Sequence, residues 1–218
     1  MRKLTLSFDN GPFPDVTPGV LDALAAARAT ATFFVCGKEA SDPKRRPLLE
    51  AIRAAGHRIG NHTQSHRVEL GATRDPDAPR REIDGAQVAL ADFADADKLF
   101  RPYGAGGALG PRLLSRGAVS HLCDGGYTCV LWNSVPRDWE DPRGWPERAL
   151  ADLRAQPWTL LVLHDIPTGA MRALPDFLAR ARDAGTELTA ELPRACVPIL
   201  RGRVVGALDG LVANYSIR

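Results

Sequence analysis

Strand-like and helix-like segments alternate along this chain, and that alternation limits its possible folds more than any other feature, because βα units in series build a largely parallel sheet covered by helices. Residues 4–8 read as a first strand, and Pro18 then opens a helix over "GVLDALAAAR" with Thr17 as its cap. "ATFFVC" at 31–36 is β-branched and aromatic, too apolar for an exposed edge. "PLLEAIRAAGH" predicts a helix from Pro47 closed by Gly56, followed by the short strand "RIGN". A further helix is expected over 80–93, where Ile83, Gln87 and Leu90 share a face, and Leu99 and Phe100 then enter the loop "RPYGAGG". Downstream, a short helix is expected at 112–116, a strand at 127–132, a helix at 146–154 and the most strand-like run of all at 158–165. A last helix at 170–184 leads to the start of a strand at 187–188, and the segment "VPILRGRVVGALDGLVANYSIR" gives no firm pattern. About seven strands favour a closed or nearly closed barrel, and the first strand lacks the Gly-rich fingerprint of a dinucleotide site.

Length sets the number of such units. At 218 residues, 44% of them hydrophobic, the chain is long enough for one substantial core and short for two, so one domain is expected. The 28 basic and 26 acidic residues nearly cancel, leaving +2, and no block of like charge provides the footprint a nucleic acid requires. No run approaches the roughly 18 apolar residues of a membrane span. The first strand follows Met1 with no room for a leader, so the chain as written reads as cytoplasmic unless an export signal was removed. Cys36, Cys123, Cys129 and Cys196 lack short paired spacing and read as free or buried thiols, with a Cys123–Cys129 disulfide as the minor alternative in an exported protein.

The chemistry-bearing residues follow the strands. Asp9 and Asn10 end the first strand, His62 and His66 follow the third, Arg101 and Tyr103 follow the fourth, and His164 ends the strongest one. In a parallel barrel those ends converge on one face, so Asp9, Arg101, Asp138 and His164 are candidates for one pocket. On a helical turn the four-residue spacing of His62 and His66 puts both imidazoles on one side; with an oxygen ligand they suit zinc, and a helix cap or polar loop explains the same spacing. The set can perform metal-assisted hydrolysis: Asp9 as base, Arg101 orienting it, His164 as acid and Asp138 favouring its imidazolium. Backbone N–H groups at Tyr103 can face a developing oxyanion, and Trp139 can line a sugar groove or pack in the core.

These residues resemble the polysaccharide deacetylases, the group with the chitin, peptidoglycan N-acetylglucosamine and nodulation-factor deacetylases and some acetylxylan esterases (carbohydrate esterase family four). The resemblance rests on "SFDNG", "HTQSH", "FRPYG", "RDWEDP" and "LLVLHD", in that order, and runs over about residues 3–190. It implies a distorted α/β fold, a (β/α) barrel, with Asp9 as base, His62, His66 and Asn10 at the metal, and His164 as acid. Arg101 and Asp138 then act as their partners, Tyr103 supplies the oxyanion N–H, and Trp139, Val162 and Leu163 border the substrate. Asn10 falls where the family carries an aspartate ligand, which implies weaker binding of a divalent ion that is more electrophilic once bound. Zinc is the expected metal, with cobalt or nickel as alternatives. The implied reaction is deacetylation of an N-acetyl amino sugar. Two alternatives stay open, a small-amide or cyclic-imide hydrolase using the same site and an inactive carbohydrate-binding descendant. Monomer and homodimer are both open.

Overall fold

The computed structural model describes residues 1–213, and the last five residues of the unassigned C-terminal segment lie outside the described part. Its hub is strand β1 (Arg2–Asp9). One edge of β1 pairs in parallel with β6 (Trp158–His164), Lys3 beside Trp158 through Asp9 beside His164. The other edge is shared, Leu6 to Asp9 pairing β2 (Ala31–Val35) and Arg2 to Leu4 pairing β7 (Thr186–Leu188). From β2 the parallel sheet continues through β3 (Arg58–Asn61), β4 (Leu99–Phe100) and β5 (Thr128–Cys129). An antiparallel pair, β8 (Ile199–Leu200) and β9 (Arg203–Val204), completes the nine-stranded sheet from the segment that gave no sequence pattern. Past β5 the chain bends until Ser134 bridges Leu161, with the Val162 N–H donating to the Ser134 carbonyl at 3.0 Å. The sheet therefore curls back on itself as the distorted barrel that the alternation of elements predicts.

Helices α1 (Thr17–Ala26), α2 (Gly37–Ala40), α3 (Arg46–Ala54), α4 (Gly85–Leu90), α5 (Arg116–Asp124), α6 (Trp145–Ala155) and α7 (Leu174–Asp183) connect the strands. None is long and apolar enough to cross a membrane among the described residues. Several expectations need correction. Thr17 does not cap α1; its hydroxyl accepts from the Phe13 N–H at 2.8 Å and donates to Asp165 at 2.6 Å. The helix expected over 80–93 forms as three turns of different pitch, Arg80–Asp84, α4 and Ala91–Phe93. No helix occupies 112–116; α5 begins where that span ends, with the Ser115 hydroxyl accepting the Ala118 N–H at 3.1 Å. The strand expected at 127–132 is regular only over Thr128–Cys129, because the chain then leaves β4 to reach β6.

Period-two alternation divides the core into two layers. Leu4, Leu6 and Phe8 of β1 and Leu161 and Leu163 of β6 pack outward against Val20, Leu24, Trp145 and Phe177 of the helices. Leu160 and Val162 face inward with Phe34, Phe100, Val130 and Trp132. Each such large side chain contributes about 1.5–3 kcal/mol on burial, so the outer face of β1 is held firmly against the helices. Its inward row is instead polar. Thr5, Ser7 and Asp9 are all buried.

Candidate active site

A buried polar row must be hydrogen-bonded or the fold loses the cost of its desolvation. Arg101, immediately after β4 and fully buried, meets that requirement. One guanidinium nitrogen donates to Ser7 Oγ at 2.8 Å and Asp9 Oδ1 at 2.7 Å, while the others donate to the Val130 and Leu131 carbonyls at 3.3 Å. Phe34 lies under the guanidinium at 4.0 Å. Burial pulls the Arg101 pKa down and the Asp9 charge works the other way, so Asp9 helps keep the buried guanidinium charged. The second Asp9 oxygen stays outside this clamp, 3.5 Å from His62 Nε2.

His62 and His66 meet across a loop and not on the helical turn their spacing suggested. Thr63 and His66 both adopt positive φ, 64° and 55°, and this reversal brings the two rings to 4.7 Å between centroids. His62 Nδ1 lies 3.0 Å from the Arg101 carbonyl, an acceptor only, so the proton sits on Nδ1 and the Nε2 lone pair is available. Burial lowers the His62 pKa and pushes that of His66 down to about 2, with His62 and His164 adding to the shift at His66, so both rings are neutral. Asn10 lines the same pocket at φ 80°, a conformation Asn tolerates better than most residues, with its Oδ1 3.9 Å from the buried Cys36 thiol. Among the described residues no three His, Cys, Asp or Glu side chains gather as a metal-binding group. The donors here are two neutral imidazoles, one with its tautomer fixed for ligation, and a carboxamide oxygen. That set suits zinc and its transition-metal neighbours and lacks a ligand charge.

Opposite them, His164 ends β6 on the inward face. Asp138, fully buried, accepts both the His164 backbone N–H at 2.9 Å and ring Nδ1–H at 2.8 Å, fixing ring and main chain together. Burial opposes the imidazolium, but the Asp138 hydrogen bond and charge outweigh it and hold the His164 pKa above its ordinary value. Trp139 packs edge-on against the ring at 4.8 Å, and Tyr103 packs at a tilt against His66 at 4.4 Å.

The two halves face one pocket of about 270 Å³. Asp9, Asn10, His62, His66, Tyr103, Trp139, Val162 and His164 line it, with Arg101 and Asp138 buried behind. Leu163 is not there. As the residue between Val162 and His164 on a strand it points to the other face and packs in the outer core, which corrects its expected place in the substrate wall. Trp132, Val135 and Ile166 complete the apolar wall. The sequence reading passed over Trp132 and Ile166, although Trp132 ends an inward-facing run and Ile166 follows "HD". Asp165 was also missed. It accepts from the Gly11 N–H at 3.0 Å and from Thr17, tying the end of β6 to the turn after Asn10, and a Cβ at Gly11 would lie 2.1 Å from its carboxylate. Burial pushes its pKa up to about 7.

Residues 1–109 match the sequence profile described as polysaccharide deacetylase. A chitooligosaccharide deacetylase of Sinorhizobium fredii is 31% identical over 202 residues, covering 91% of this chain and 85% of that protein. Among solved structures, a deacetylase with bound substrate superposes with TM-score 0.68 at 29% identity, over 86% of this chain and 87% of the other. A family 4 acetyl xylan esterase from Clostridium thermocellum, in complex with a cobalt ion, superposes with TM-score 0.69 at 25% identity, over 86% of this chain and 87% of its own. With half its length matched by that profile and a relative above 30% identity aligned nearly end to end, the chain belongs to the polysaccharide deacetylase family.

Proposed function

We propose that this protein is a metal-dependent amidohydrolase that removes the acetyl group from an N-acetyl amino sugar, consuming water and releasing acetate and a free amine. The observation that carries the reading is the opposed pair of buried dyads, Asp9 with Arg101 and His164 with Asp138, facing one pocket. The chitooligosaccharide deacetylase named above supports the substrate class, and the cobalt-bound esterase supports a divalent ion. His62, His66 and Asn10 would hold the metal, Asn10 in place of the family's aspartate. A divalent ion there, zinc foremost with cobalt or nickel as alternatives, supplies Lewis acidity toward the amide carbonyl and the attacking water.

The rest follows from the chain's own groups. Arg101 occupies Asp9 Oδ1, so Oδ2 is the oxygen that takes the proton from water. The Tyr103 N–H faces the oxyanion as the carbonyl carbon becomes tetrahedral. His164 keeps one proton on Nδ1 toward Asp138 and delivers the other from Nε2 to the leaving nitrogen, after which the C–N bond breaks. Trp139 fixes the ring from its edge, and Val162 with Trp132 forms the apolar wall beside it. The test compares zinc-loaded and chelated protein on chitooligosaccharides, acetylxylan, formamides and cyclic imides. Acetate and free amine from the N-acetyl sugar alone, abolished by chelation, is the expected result. Selective turnover of a non-sugar would replace the substrate assignment with the small-amide reading, and full activity in metal-free protein would overturn the mechanism. Sugar binding with no turnover after metal reconstitution would leave a carbohydrate-binding descendant.

A further inference from the structure

The loop from His62 to His66 is itself neither helix nor strand, yet it keeps Thr63 and His66 at positive φ. For a β-branched residue such as Thr63 that conformation is strained and persists only where surrounding contacts enforce it. The Gly37 and Lys38 N–H groups, at the start of α2, donate to the Thr63 and Gln64 carbonyls at 2.9 Å, and three side chains add to this hold. The Asn61 side chain donates to the Ile83 carbonyl at 2.8 Å and accepts the Thr63 N–H at 3.0 Å. Thr63 Oγ1 accepts the His66 N–H at 3.2 Å. The third comes from outside the loop. Glu82, buried on the single wide turn Arg80–Asp84, accepts the Ser65 N–H on Oε2 at 2.9 Å and the Ser65 O–H on Oε1 at 2.8 Å.

A carboxylate that takes both the backbone and the side-chain proton of one residue fixes that residue's position and orientation together, as Asp138 does for His164. Ser65 directly precedes His66, so Glu82 sets the direction in which the chain presents His66 to its neighbours. Turns of this widened pitch inside a helical segment are frequent at functional sites, and this one aims Glu82 inward.

We propose that Glu82 is a positioning residue for His66, acting through Ser65, and that the wide turn exists to place it. The proposal rests on the metal-site reading above only for its effect on metal affinity, because the ring geometry can be read in metal-free protein. In metal-free wild type, the His66 ring protons are expected to carry ring-current shifts from Tyr103 and His62, measured by NMR of the histidine side chains. Glu82→Ala should move those resonances toward the values of an unstacked imidazole while His57 stays unchanged as a control. The same variant should bind zinc about 10- to 100-fold more weakly in a chelator competition. Glu82→Gln can still accept from the Ser65 N–H and donate to its Oγ, so it should retain wild-type values in both readouts. Ser65→Ala, which keeps only the backbone bond, should fall between them and serves if Glu82→Ala does not fold. Unchanged His66 resonances in both Glu82→Ala and Ser65→Ala would overturn the proposal, as would Glu82→Gln behaving like Glu82→Ala. A wild type that binds no zinc while the His66 shifts respond to Glu82→Ala would sink the metal-site reading and support the positioning role.

Discussion

At the scale of single residues, Asn10 and His164 make opposite use of charge. Asn10 offers an oxygen without a negative charge beside two neutral imidazoles. Asn10→Asp should therefore tighten zinc binding, read by chelator competition, and unchanged affinity would place Asn10 outside the ligand set. At His164 the charged form is favoured, since Asp138 holds its pKa above the ordinary 6.5. A raised histidine contributes stability that is fully present below its unfolded value, about pH 6.5, and lost as pH rises through the higher folded one. Turnover that needs His164 as acid must decline over that same upper limb. Asp138→Asn removes the support and leaves the burial, so the midpoint of the alkaline limb should move to lower pH in a pH–rate profile. The motif residues were legible because each carries a functional group in a recognisable order. Leu163 was misplaced because a motif records neighbours in sequence, whereas a strand sends neighbours to opposite faces.

At the scale of elements, most segments with strong apolar pattern matched their expected positions, the four-residue β3 included, whereas the span 80–93 and the short helix expected at 112–116 did not. β6, α6 and α7 lie close to where apolar pattern put them, because each buries a full face. Helix α5 was missed over "RGAVSHLCD", whose Gly, Ser and His are weak helix formers. What starts it is the Ser115 side chain capping the Ala118 N–H. Ser115→Ala should cost about 1 kcal/mol in denaturant unfolding, within the 0.5–2 kcal/mol typical of such caps, without altering turnover. A loss near zero would mean tertiary packing alone sets this helix start. The four-residue spacing of the two histidines fits a helical turn and a polar loop alike, and the structure makes it a loop. Its positive φ angles depend on Glu82 and on the Ile83 carbonyl that anchors Asn61, contacts that no short local window contains.

At the scale of the whole molecule, the two core layers assign different work to adjacent residues. Val162 faces the pocket and Leu163 the helices, so truncating each should separate chemistry from stability. Leu163→Ala should lose about 2–5 kcal/mol of unfolding free energy with the remaining folded protein turning over normally. Val162→Ala should change the Michaelis constant for acetylated substrate with a smaller stability loss, as measured by steady-state kinetics beside thermal melts. Reversed outcomes would mean the strand is turned by one residue. Arg101 extends this logic across the fold. Its guanidinium reaches Ser7 and Asp9 on one side and the carbonyls of Val130 and Leu131 on the other. No stretch shorter than residues 7–131 contains that environment complete, so Asp9 acquires its counter-charge only when distant parts of the chain have met. In the proposed mechanism hydrolytic competence is thereby coupled to finished topology, because a half-assembled chain lacks the charged partner of its base.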